Sequence, residues 1–543
     1  MERHRFLIIA GAASAAVGLC NRGASALHPT LGGDGTRSSI SLGSQNPGPS
    51  DLSIAEWVFP ASDLAVTEDI RWVGDSGPVV VDRLVFAVSR PNNQGSVAKL
   101  WAIDRAEGTL VWSKDVPSQI NDSWSTPTID RGNATLIYGT GSQGFDQSGR
   151  VQARSLLSGD LLWEAELEKD IVNATPLVTT DRGSADRAFI TDFEGFYAGG
   201  QGGVLYCINV DPFDAATNPY EPGDIVWRAP LFDGASGATP AYDGERVYVA
   251  TAGDFGPPAV GGQVIAFDPA AIDATGAELW RTPIGGNDGF FGGVSVAGGY
   301  VYGATYDFFG TTTSARLLKL NAETGSIVWE TASNRTDSIP VALDDGRIAL
   351  STGIPGFGSL PALQLFDDLG TSASLLDDTS VATWQDDGDG LIELGEFEII
   401  GGWTHQPHVV LDHPFTQGPV VFVGSIAVPA AGQFFSGYTR LSMVDLAAPF
   451  GSPGSVLSVY EGAGSSPAVS GPNLYTIGET GVVGIGAYCP GDVDLSGQTD
   501  FFDVITYLKI KDAGSPEADV TLDGTVSSED VVEAIQRVED GCE

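Results

Sequence analysis

The strongest constraint on the fold is a motif that recurs through the middle of the chain. Each copy has a short apolar run, a turn with Asp or Asn and Gly, and a second run that ends in tryptophan. Clear copies are LWAIDRAEGTLVW, VQARSLLSGDLLW and LLKLNAETGSIVW. The tryptophans that end the copies are Trp112, Trp163, Trp227, Trp280, Trp329 and, in a weaker copy, Trp384. This pattern predicts antiparallel strand pairs joined by tight turns.

A second pattern precedes each copy. It is a small residue, usually followed by Pro, and then a β-rich run such as TPAYDGERVYVAT, and it begins eight times at intervals of roughly 50 residues. Four short strands per unit predict an all-β fold, an eight-bladed β-propeller, with seven blades as the alternative because the seventh copy is degenerate. The last unit lacks its tryptophan strand, and we expect the strand around Trp57 to close it and remove the open sheet edges.

The consensus A-x-[DN]-x-x-[TSE]-G-x-x-x-W resembles the repeat of the quinoprotein (PQQ-type) propeller family over residues 52–487. The resemblance implies that the repeat tryptophans and Trp57 dock each blade against its neighbour. The same propeller serves quinone-dependent dehydrogenases and non-enzymatic outer-membrane assembly lipoproteins, so the fold alone does not fix function. A bound PQQ is not expected, because the family's dehydrogenases carry a vicinal disulfide beside the quinone and no two cysteines are adjacent here. The C-x-x-C-H motif that the haem-bearing members need is also absent.

The N-terminal residues read as a targeting segment. A basic start, an apolar run and the Ala24-Ser25-Ala26 cleavage pattern predict a signal peptide over residues 1–26. A lipoprotein anchored at Cys20 is the less favoured alternative. Residues 27–51 are rich in Gly, Ser and Pro and predict a flexible lead-in. No other apolar run is long enough to span a bilayer, so we expect a secreted or cell-surface protein.

Two acidic loops end the chain, within residues 489–543. Each has the spacing of a twelve-residue calcium loop with glycine at its sixth position, and calcium prefers six to eight oxygen ligands. The predicted ligands of the first loop are Asp492, Asp494, Ser496, Gln498 through its carbonyl, Asp500 and Asp503. Those of the second are Asp519, Thr521, Asp523, Thr525 through its carbonyl, Ser527 and Asp530. Each loop is followed by a helix-like run, and we expect two bound Ca²⁺ ions.

These tandem loops resemble a type I dockerin. The resemblance implies a calcium-dependent fold and a cohesin-like or cell-surface protein partner. Thr521 is a poorer ligand than Asp, and Phe501-Phe502 replaces the Ser-Thr pair that is frequent in cohesin binders, so partner recognition is less secure than calcium binding. Cys489 and Cys542 bracket the module and are predicted to form a disulfide, because export permits oxidation.

A third acidic loop, residues 385–396, interrupts the propeller repeats. Its predicted calcium ligands are Asp387, Asp389, Leu391 through its carbonyl, Glu393 and Glu396. Gln385 occupies the first position, where Asp is expected, so occupancy is less secure than in the terminal loops. The alternative is a plain acidic turn.

The net charge of −43 excludes nucleic acid as a natural partner. Our first hypothesis is an exported scaffold or binding protein, whose propeller contacts an unknown protein or glycan ligand. The alternative is an enzyme, either a secreted polysaccharide-degrading one or a quinone-dependent oxidoreductase. Aromatic-rich loops such as TDFEGFYAGG and NDGFFGG form a binding face in one interpretation and pack over the blade ends in the other.

Overall fold

The structure is a computed structural model. It describes residues 27–60, 70–72, 76–81, 83–91, 98–116, 125–140, 148–171, 173–179, 185–193, 202–232, 237–253, 261–307, 315–353, 360–382, 400–403, 406–416, 418–426, 438–452, 454–478, 481–486, 493, 499, 501–512, 518, 520–521 and 525–540.

The described strands form eight sheets, and each sheet is one blade of a propeller. Four short strands come first in the chain: β1 (Leu27–His28), β2 (Ile40–Leu42), β3 (Ala55–Phe59) and β4 (Ile70–Arg71). Blade 1 contains β5 (Val79–Val81), β6 (Leu84–Pro91), β7 (Ala98–Asp104) and β8 (Leu110–Val116). Blade 2 contains β9 (Thr128–Asp130), β10 (Thr135–Thr140), β11 (Arg150–Ser155) and β12 (Leu161–Glu166). Blade 3 contains β13 (Leu177–Thr179), β14 (Arg187–Thr191), β15 (Val204–Asn209) and β16 (Ile225–Pro230).

The remaining blades follow the same order. Blade 4 contains β17 (Ala241–Tyr242), β18 (Val247–Ala250), β19 (Gln263–Phe267), the single turn α1 (Ala274–Ala277) and β20 (Glu278–Pro283). Blade 5 contains β21 (Val294–Ala297), β22 (Tyr300–Ala304), β23 (Ala315–Asn321) and β24 (Ile327–Ser333). Blade 6 contains β25 (Val341–Ala342), β26 (Arg347–Thr352), β27 (Ala362–Asp368) and β28 (Ala373–Asp378), followed by the turn α2 (Thr379–Ala382). Blade 7 contains β29 (His408–Leu411), β30 (Val420–Ile426), β31 (Tyr438–Asp445) and β32 (Val456–Glu461). Blade 8 contains β33 (Ala468–Ser470), β34 (Asn473–Gly478) and β35 (Gly481–Ile485).

The first strand of each blade is innermost. The first strands of blades 1 to 6 lie beside one another in sequence, and that of blade 8 lies beside that of blade 1. Inner strands such as β5 are fully buried, whereas outer strands such as β12 alternate exposed and buried side chains. We call the face where the first strands begin the loop face, and the opposite face, where the second strands begin, the hairpin face.

The N-terminal strand β3 closes the ring. It pairs antiparallel with β35, and Trp57 lies opposite Gly484. The eighth blade therefore takes its outer strand from the beginning of the chain and its inner strands from the end. The prediction of eight blades is confirmed.

Residues 27–51, which we call the axial segment, are not the flexible lead-in that their composition predicts. In this segment β1 pairs antiparallel with β5, and β2 pairs parallel with β29. His28, Leu31 and Arg37 are buried. The composition was misleading because the segment gains its order from the inner strands it lies against, which local propensity does not register.

The axial segment satisfies main-chain groups at the inner edges of several blades. The carbonyl oxygens of Pro29, Gly35, Thr36 and Ser39 accept hydrogen bonds of 2.7–2.9 Å from inner-strand N–H groups of Ile129, Tyr242, Val296 and Val409. Its glycines permit this close approach. Gly32 has a φ of 74°, and a Cβ there would lie 2.5 Å from Gln406 Oε1.

A chain of threonine hydroxyls joins neighbouring blades at the loop face. The N–H of Gly77 donates to Thr126 Oγ1 at 2.9 Å, and that of Thr126 donates to Thr175 Oγ1 at 3.2 Å. The N–H of Thr175 donates in turn to Thr239 Oγ1 at 3.1 Å. Each of these residues immediately precedes a proline or occupies the equivalent place in its repeat. The small residue of the repeat thus links four successive blades.

Two helices form the C-terminal module, α3 (Phe501–Asp512) and α4 (Ser528–Asp540). Tyr507, Ala518 and Ala534 make its small buried core, and the Tyr507 hydroxyl donates to the Ala518 carbonyl at 2.9 Å. Asp503 and Asp530 are each the third residue of their helix, and both are fully buried. The two helices therefore share a buried aspartate at the equivalent position.

Candidate functional site

The repeat tryptophans contact the turn of the next blade on the hairpin face. Trp112 Nε1 donates to the Leu156 carbonyl at 3.0 Å, and Trp280 Nε1 donates to the Ala322 carbonyl at 3.1 Å. Hydrogen bonds of 2.9–3.0 Å from the same ring nitrogen join Trp57 to Arg105, Trp227 to Ala271 and Trp329 to Asp368. The Trp163 ring packs against Gly223. These side chains hold blade to blade and are not available to a ligand.

The propeller axis carries a buried guanidinium. Arg37 is fully buried, and its Nε and Nη2 donate to the carbonyls of Pro240 and Pro176 at 3.0 and 3.1 Å. Its Nη1 donates to the Leu31 carbonyl at 2.9 Å and to the Thr30 hydroxyl. Burial lowers the pKa of Arg37 to about 9, and the charge of Asp34 partly offsets this effect. The cation is held by carbonyl dipoles from two blades.

Two buried histidines contact each other, one from the axial segment and one from blade 7. His28 of the axial segment and His408 of β29 have ring centroids 5.6 Å apart, and both are buried. His408 hydrogen-bonds through both ring nitrogens, with Ser39 Oγ at 3.3 Å and Ser41 Oγ at 3.0 Å. Burial lowers the pKa of His28 to about 4 and that of His408 well below its usual value. Burial thus favours the neutral form of both rings, which contact each other and the hydroxyls of Ser39 and Ser41.

Aromatic rings form a row on the loop face. Phe193 of blade 3 lies 6.3 Å from Phe291, which precedes blade 5, and Phe291 lies 5.4 Å from Tyr306. Tyr306 lies 5.4 Å from Trp403, which precedes blade 7. All four side chains are buried. The described aromatics of the predicted binding loops therefore pack over the blade ends, as the second interpretation of the sequence expected.

The absence of a bound quinone stays a prediction, and the buried axial segment agrees with it. Arg37 and His28 of this segment are buried, and Arg37 donates to the carbonyls of Pro176 and Pro240, which precede the first strands of blades 3 and 4. The sequence also has no adjacent cysteine pair, and Cys207 is a buried free thiol in β15.

Three predicted calcium ligands of the second terminal loop converge. The Asp530 carboxylate accepts the Thr521 hydroxyl at 2.8 Å and the main-chain N–H groups of Thr521 and Ser527 at 3.0 and 2.6 Å. Burial opposes ionisation of Asp530, but these hydrogen bonds outweigh it and lower its pKa overall. An ionised carboxylate beside a hydroxyl suits Ca²⁺. The residues fit the ion, with Thr521 and Asp530 as the side chains that would hold it.

In the first loop only Asp503 is described among the predicted ligands, and it lies buried at the start of α3. Many other predicted residues lie outside the described part of the chain: Asp387, Asp389, Leu391, Glu393, Glu396, Cys489, Asp492, Asp494, Ser496, Gln498, Asp500, Asp519, Asp523, Cys542, Trp384 and the signal peptide 1–26. Among the residues that the structure describes, no group of three His, Cys, Asp or Glu forms a metal site.

Sequence reasoning missed the axial segment and the threonine chain. A signal for the second was present, since Thr precedes Pro at Thr126, Thr175 and Thr239 in three successive repeats. A signal for the first was the arginine and histidine within a segment that otherwise looks like a linker. Neither signal specifies a contact without knowledge of the ring.

Comparison with solved structures shows the fold. BamB from Moraxella catarrhalis is 16% identical, with 77% of this chain and 98% of that chain covered and a TM-score of 0.48. A quinohemoprotein alcohol dehydrogenase from Comamonas testosteroni is 15% identical, with coverages of 84% and 77% and a TM-score of 0.53. No curated protein matches the sequence significantly.

A family model described as outer membrane protein assembly factor BamB matches residues 57–214 and 260–390. The match begins in the closing strand β3 and ends after blade 6, and it contains the docking tryptophans Trp57, Trp112, Trp163, Trp280 and Trp329. Trp227 lies in the gap between the two matched segments. It covers more than half of the sequence. The chain therefore belongs to the PQQ-like β-propeller repeat family that this model represents.

Proposed function

We propose that this chain is an exported, calcium-binding scaffold protein. Its propeller presents a recognition face to a protein or glycan, and its dockerin-like module attaches it to a protein partner or cell surface. The observation that carries the proposal is the filled axis, where Arg37 bonds to the carbonyls of Pro176 and Pro240. A propeller packed with its own N-terminal segment offers its loops and blade edges for recognition.

The terminal module supports the attachment role. Thr521, Ser527 and Asp530 already lie together in the second loop, and Asp503 occupies the equivalent of Asp530 in the first. A module with so small a core commonly needs a metal or disulfide to fold. Calcium would neutralise the clustered carboxylates, and its binding energy would then become folding energy.

The location rests on the sequence and the relatives. The basic start, apolar run and A-x-A pattern favour export, and the matching family model is described as an outer membrane protein assembly factor. In the part of the chain that the structure describes, no helix has the length and apolar character needed to span a membrane. The polysaccharide-degrading and quinone-dependent activities stay predictions.

The experiment is a capture of partners from envelope and secreted fractions of the source. It compares the full chain with calcium, the full chain with chelator, and a full chain carrying Asp503→Ala and Asp530→Ala. The matched control carries Asp214→Ala, a turn aspartate on the propeller surface. We expect one protein partner that is captured with calcium by the full chain and by the control, and is lost with chelator and with the double variant.

Two outcomes would contradict the attachment role of the terminal module. A partner that the double variant and the chelated chain retain would make the propeller the attachment surface and reduce the terminal loops to structural elements. Capture of no partner in any calcium-containing arm would remove the attachment role. A glycan array read with the same four samples separates a glycan ligand of the propeller from a protein one.

A further inference from the structure

An arginine recurs at one position of the repeat, where the second strand of a blade begins on the hairpin face. It is present in blades 1, 3, 4 and 6 as Arg83, Arg187, Arg246 and Arg347. In three blades its contacts lie within the propeller. Arg187 Nη1 donates to Asn209 Oδ1 at 2.7 Å, Arg246 faces the Asp243 carboxylate at 3.7 Å, and Arg347 bonds to the Leu446 carbonyl of blade 7.

Arg83 uses the same position differently. Its Nε pairs with the buried Asp104 carboxylate at 2.7 Å, which fixes the guanidinium on the hairpin face of blade 1. Its Nη1 donates to the carbonyl oxygen of Val520 at 2.7 Å, although Val520 belongs to the C-terminal module and lies 437 positions away. The repeat arginine of blade 1 thus contacts the second calcium loop.

The Val520 carbonyl accepts two guanidinium hydrogen bonds. The second comes from Arg537 Nη2 of α4 at 2.8 Å. Val520 occupies position 2 of the predicted calcium loop, between Asp519 and Thr521. Calcium loops of this type take ligands from positions 1, 3, 5, 7, 9 and 12, so the carbonyl at position 2 stays free for Arg83 when a metal is bound. Docking and calcium binding are therefore compatible.

We propose that Arg83 docks the C-terminal module in cis on the hairpin face of blade 1, and that calcium strengthens this docking. The inference rests on the proposed calcium binding. Ordering of the loop around the ion fixes the peptide unit that follows Val520, since the side chain and N–H of Thr521 belong to the ligand cluster. A fixed carbonyl is a better acceptor than a mobile one, because less conformational entropy is lost on docking.

The arrangement has a functional consequence. A module held on the hairpin face leaves the loop face, on the other side of the propeller, turned away from whatever the module attaches to. The coupling must also be reciprocal: whatever factor calcium adds to docking, docking adds to calcium affinity. The calcium affinity of the full chain therefore reports the contact directly.

The test is a calcium titration of the full chain by calorimetry, with Ca²⁺ alone as the probe. Hydrogen exchange of peptides covering residues 525–540 assigns the binding to the second loop. The variants are Arg83→Ala and Arg83→Lys, and the matched control is Arg347→Ala, which removes the equivalent arginine of blade 6. A thermal melt of each sample checks that the propeller remains folded.

We expect Arg83→Ala to weaken calcium binding at the second loop about tenfold, the change that 1.4 kcal/mol represents. Arg83→Lys keeps the charge but loses the planar fork and should lie between, while Arg347→Ala should match the unaltered chain. Equal affinity in Arg83→Ala and the unaltered chain would overturn the proposed coupling of docking to calcium. Absence of calcium binding in every sample, the unaltered chain included, would instead overturn the proposed calcium site, so the two failures are distinct.

Discussion

Arg37 Nε donates to the carbonyl oxygen of Pro240 at 3.0 Å, although the two residues are 203 positions apart in the chain. The same guanidinium reaches Pro176 in the preceding blade. One side chain of the axial segment thus ties together two blades that belong to the middle of the sequence. The stability of the ring depends on a segment that the repeat pattern does not contain.

Replacing Arg37 with Met tests this dependence. Methionine fills similar space but donates no hydrogen bonds, so the carbonyls of Leu31, Pro176 and Pro240 lose a partner at a buried site. We expect the free energy of unfolding to fall by about 1–3 kcal/mol, the penalty for a buried polar group left without its partner. Urea denaturation measures it.

The control for this experiment is Arg228→Met, which removes an exposed arginine paired with Glu168. Surface pairs of this kind contribute about 0–1 kcal/mol, so the control should change little. An Arg37→Met chain as stable as the control would show that the axial segment contributes no stability through its guanidinium.

The fold could be predicted from the sequence because its determinants recur. The outer strands of blades 1 to 5 each contain a tryptophan, so the period of Trp112, Trp163 and the later copies indicates the architecture before any contact is known. The closing strand was predictable for the same reason, since Trp57 supplies the member missing from the last blade. Because the same strand and turn pattern recurs along the chain, it is sufficient to predict the topology of the whole propeller.

The axial segment could not be predicted, because its contacts are long-range and occur once. Gly32 and Gly43 look like linker residues, and only the positions of Gln406 and the main chain of Asp412 explain why no side chain fits there. The surroundings of the second calcium loop could not be predicted for the same reason. The sequence gives the spacing of Thr521, Ser527 and Asp530, but the docking of Val520 on Arg83 depends on how the module sits against blade 1.

The buried histidines predict acid lability. Burial lowers the pKa of His28 to about 4, so protons bind the unfolded chain, with its ordinary pKa of 6.5, before they bind the folded one. Stability is therefore complete above pH 6.5 and is lost as the pH falls towards 4. The shift corresponds to about 3 kcal/mol for His28, and His408 adds to it. Asp34 is the charged group that acts on His28, and its charge opposes the lowering of the pKa.

The measurement is the melting temperature of the unaltered chain and of His28→Gln from pH 7.5 to pH 4.5. Because glutamine does not titrate, the variant should lose less stability over this range than the unaltered chain, whatever its stability at pH 7.5. Parallel curves for the two proteins would contradict a role for His28. Carboxylates elsewhere titrate equally in both and cancel in the difference.

The chain of threonine hydroxyls predicts that an isosteric substitution of one threonine by valine lowers the free energy of unfolding. Thr175→Val removes the hydroxyl that accepts the Thr126 N–H and leaves that buried donor without its partner. We expect a loss of about 1–3 kcal/mol in unfolding free energy, the penalty for an unsatisfied buried group. Thr109→Val, at an exposed turn position, is the control and should change stability by about 0.5 kcal/mol or less. Equal effects would show that the hydroxyl does not link the blades.

The contact between Trp280 and Gly325 can be separated from the conformational role of the glycine. Gly325 has a φ of 72°, and a Cβ there would lie 2.5 Å from the Trp280 ring. Gly370 has a φ of 87°, but nothing lies within 4 Å of its Cβ position. Alanine at Gly370 therefore carries only the backbone cost of the left-handed conformation, about 1–2 kcal/mol, whereas alanine at Gly325 must also displace the ring. We expect Gly325→Ala to be the more destabilising by a further 1–3 kcal/mol, about the cost of overpacking.

Urea denaturation of both variants, with indole fluorescence as the probe, gives the difference. An equal loss of unfolding free energy in the two variants would mean that the Trp280 ring can move aside without an energetic cost. The contact of this ring with Gly325 would then contribute little to the packing of blade 4 against blade 5.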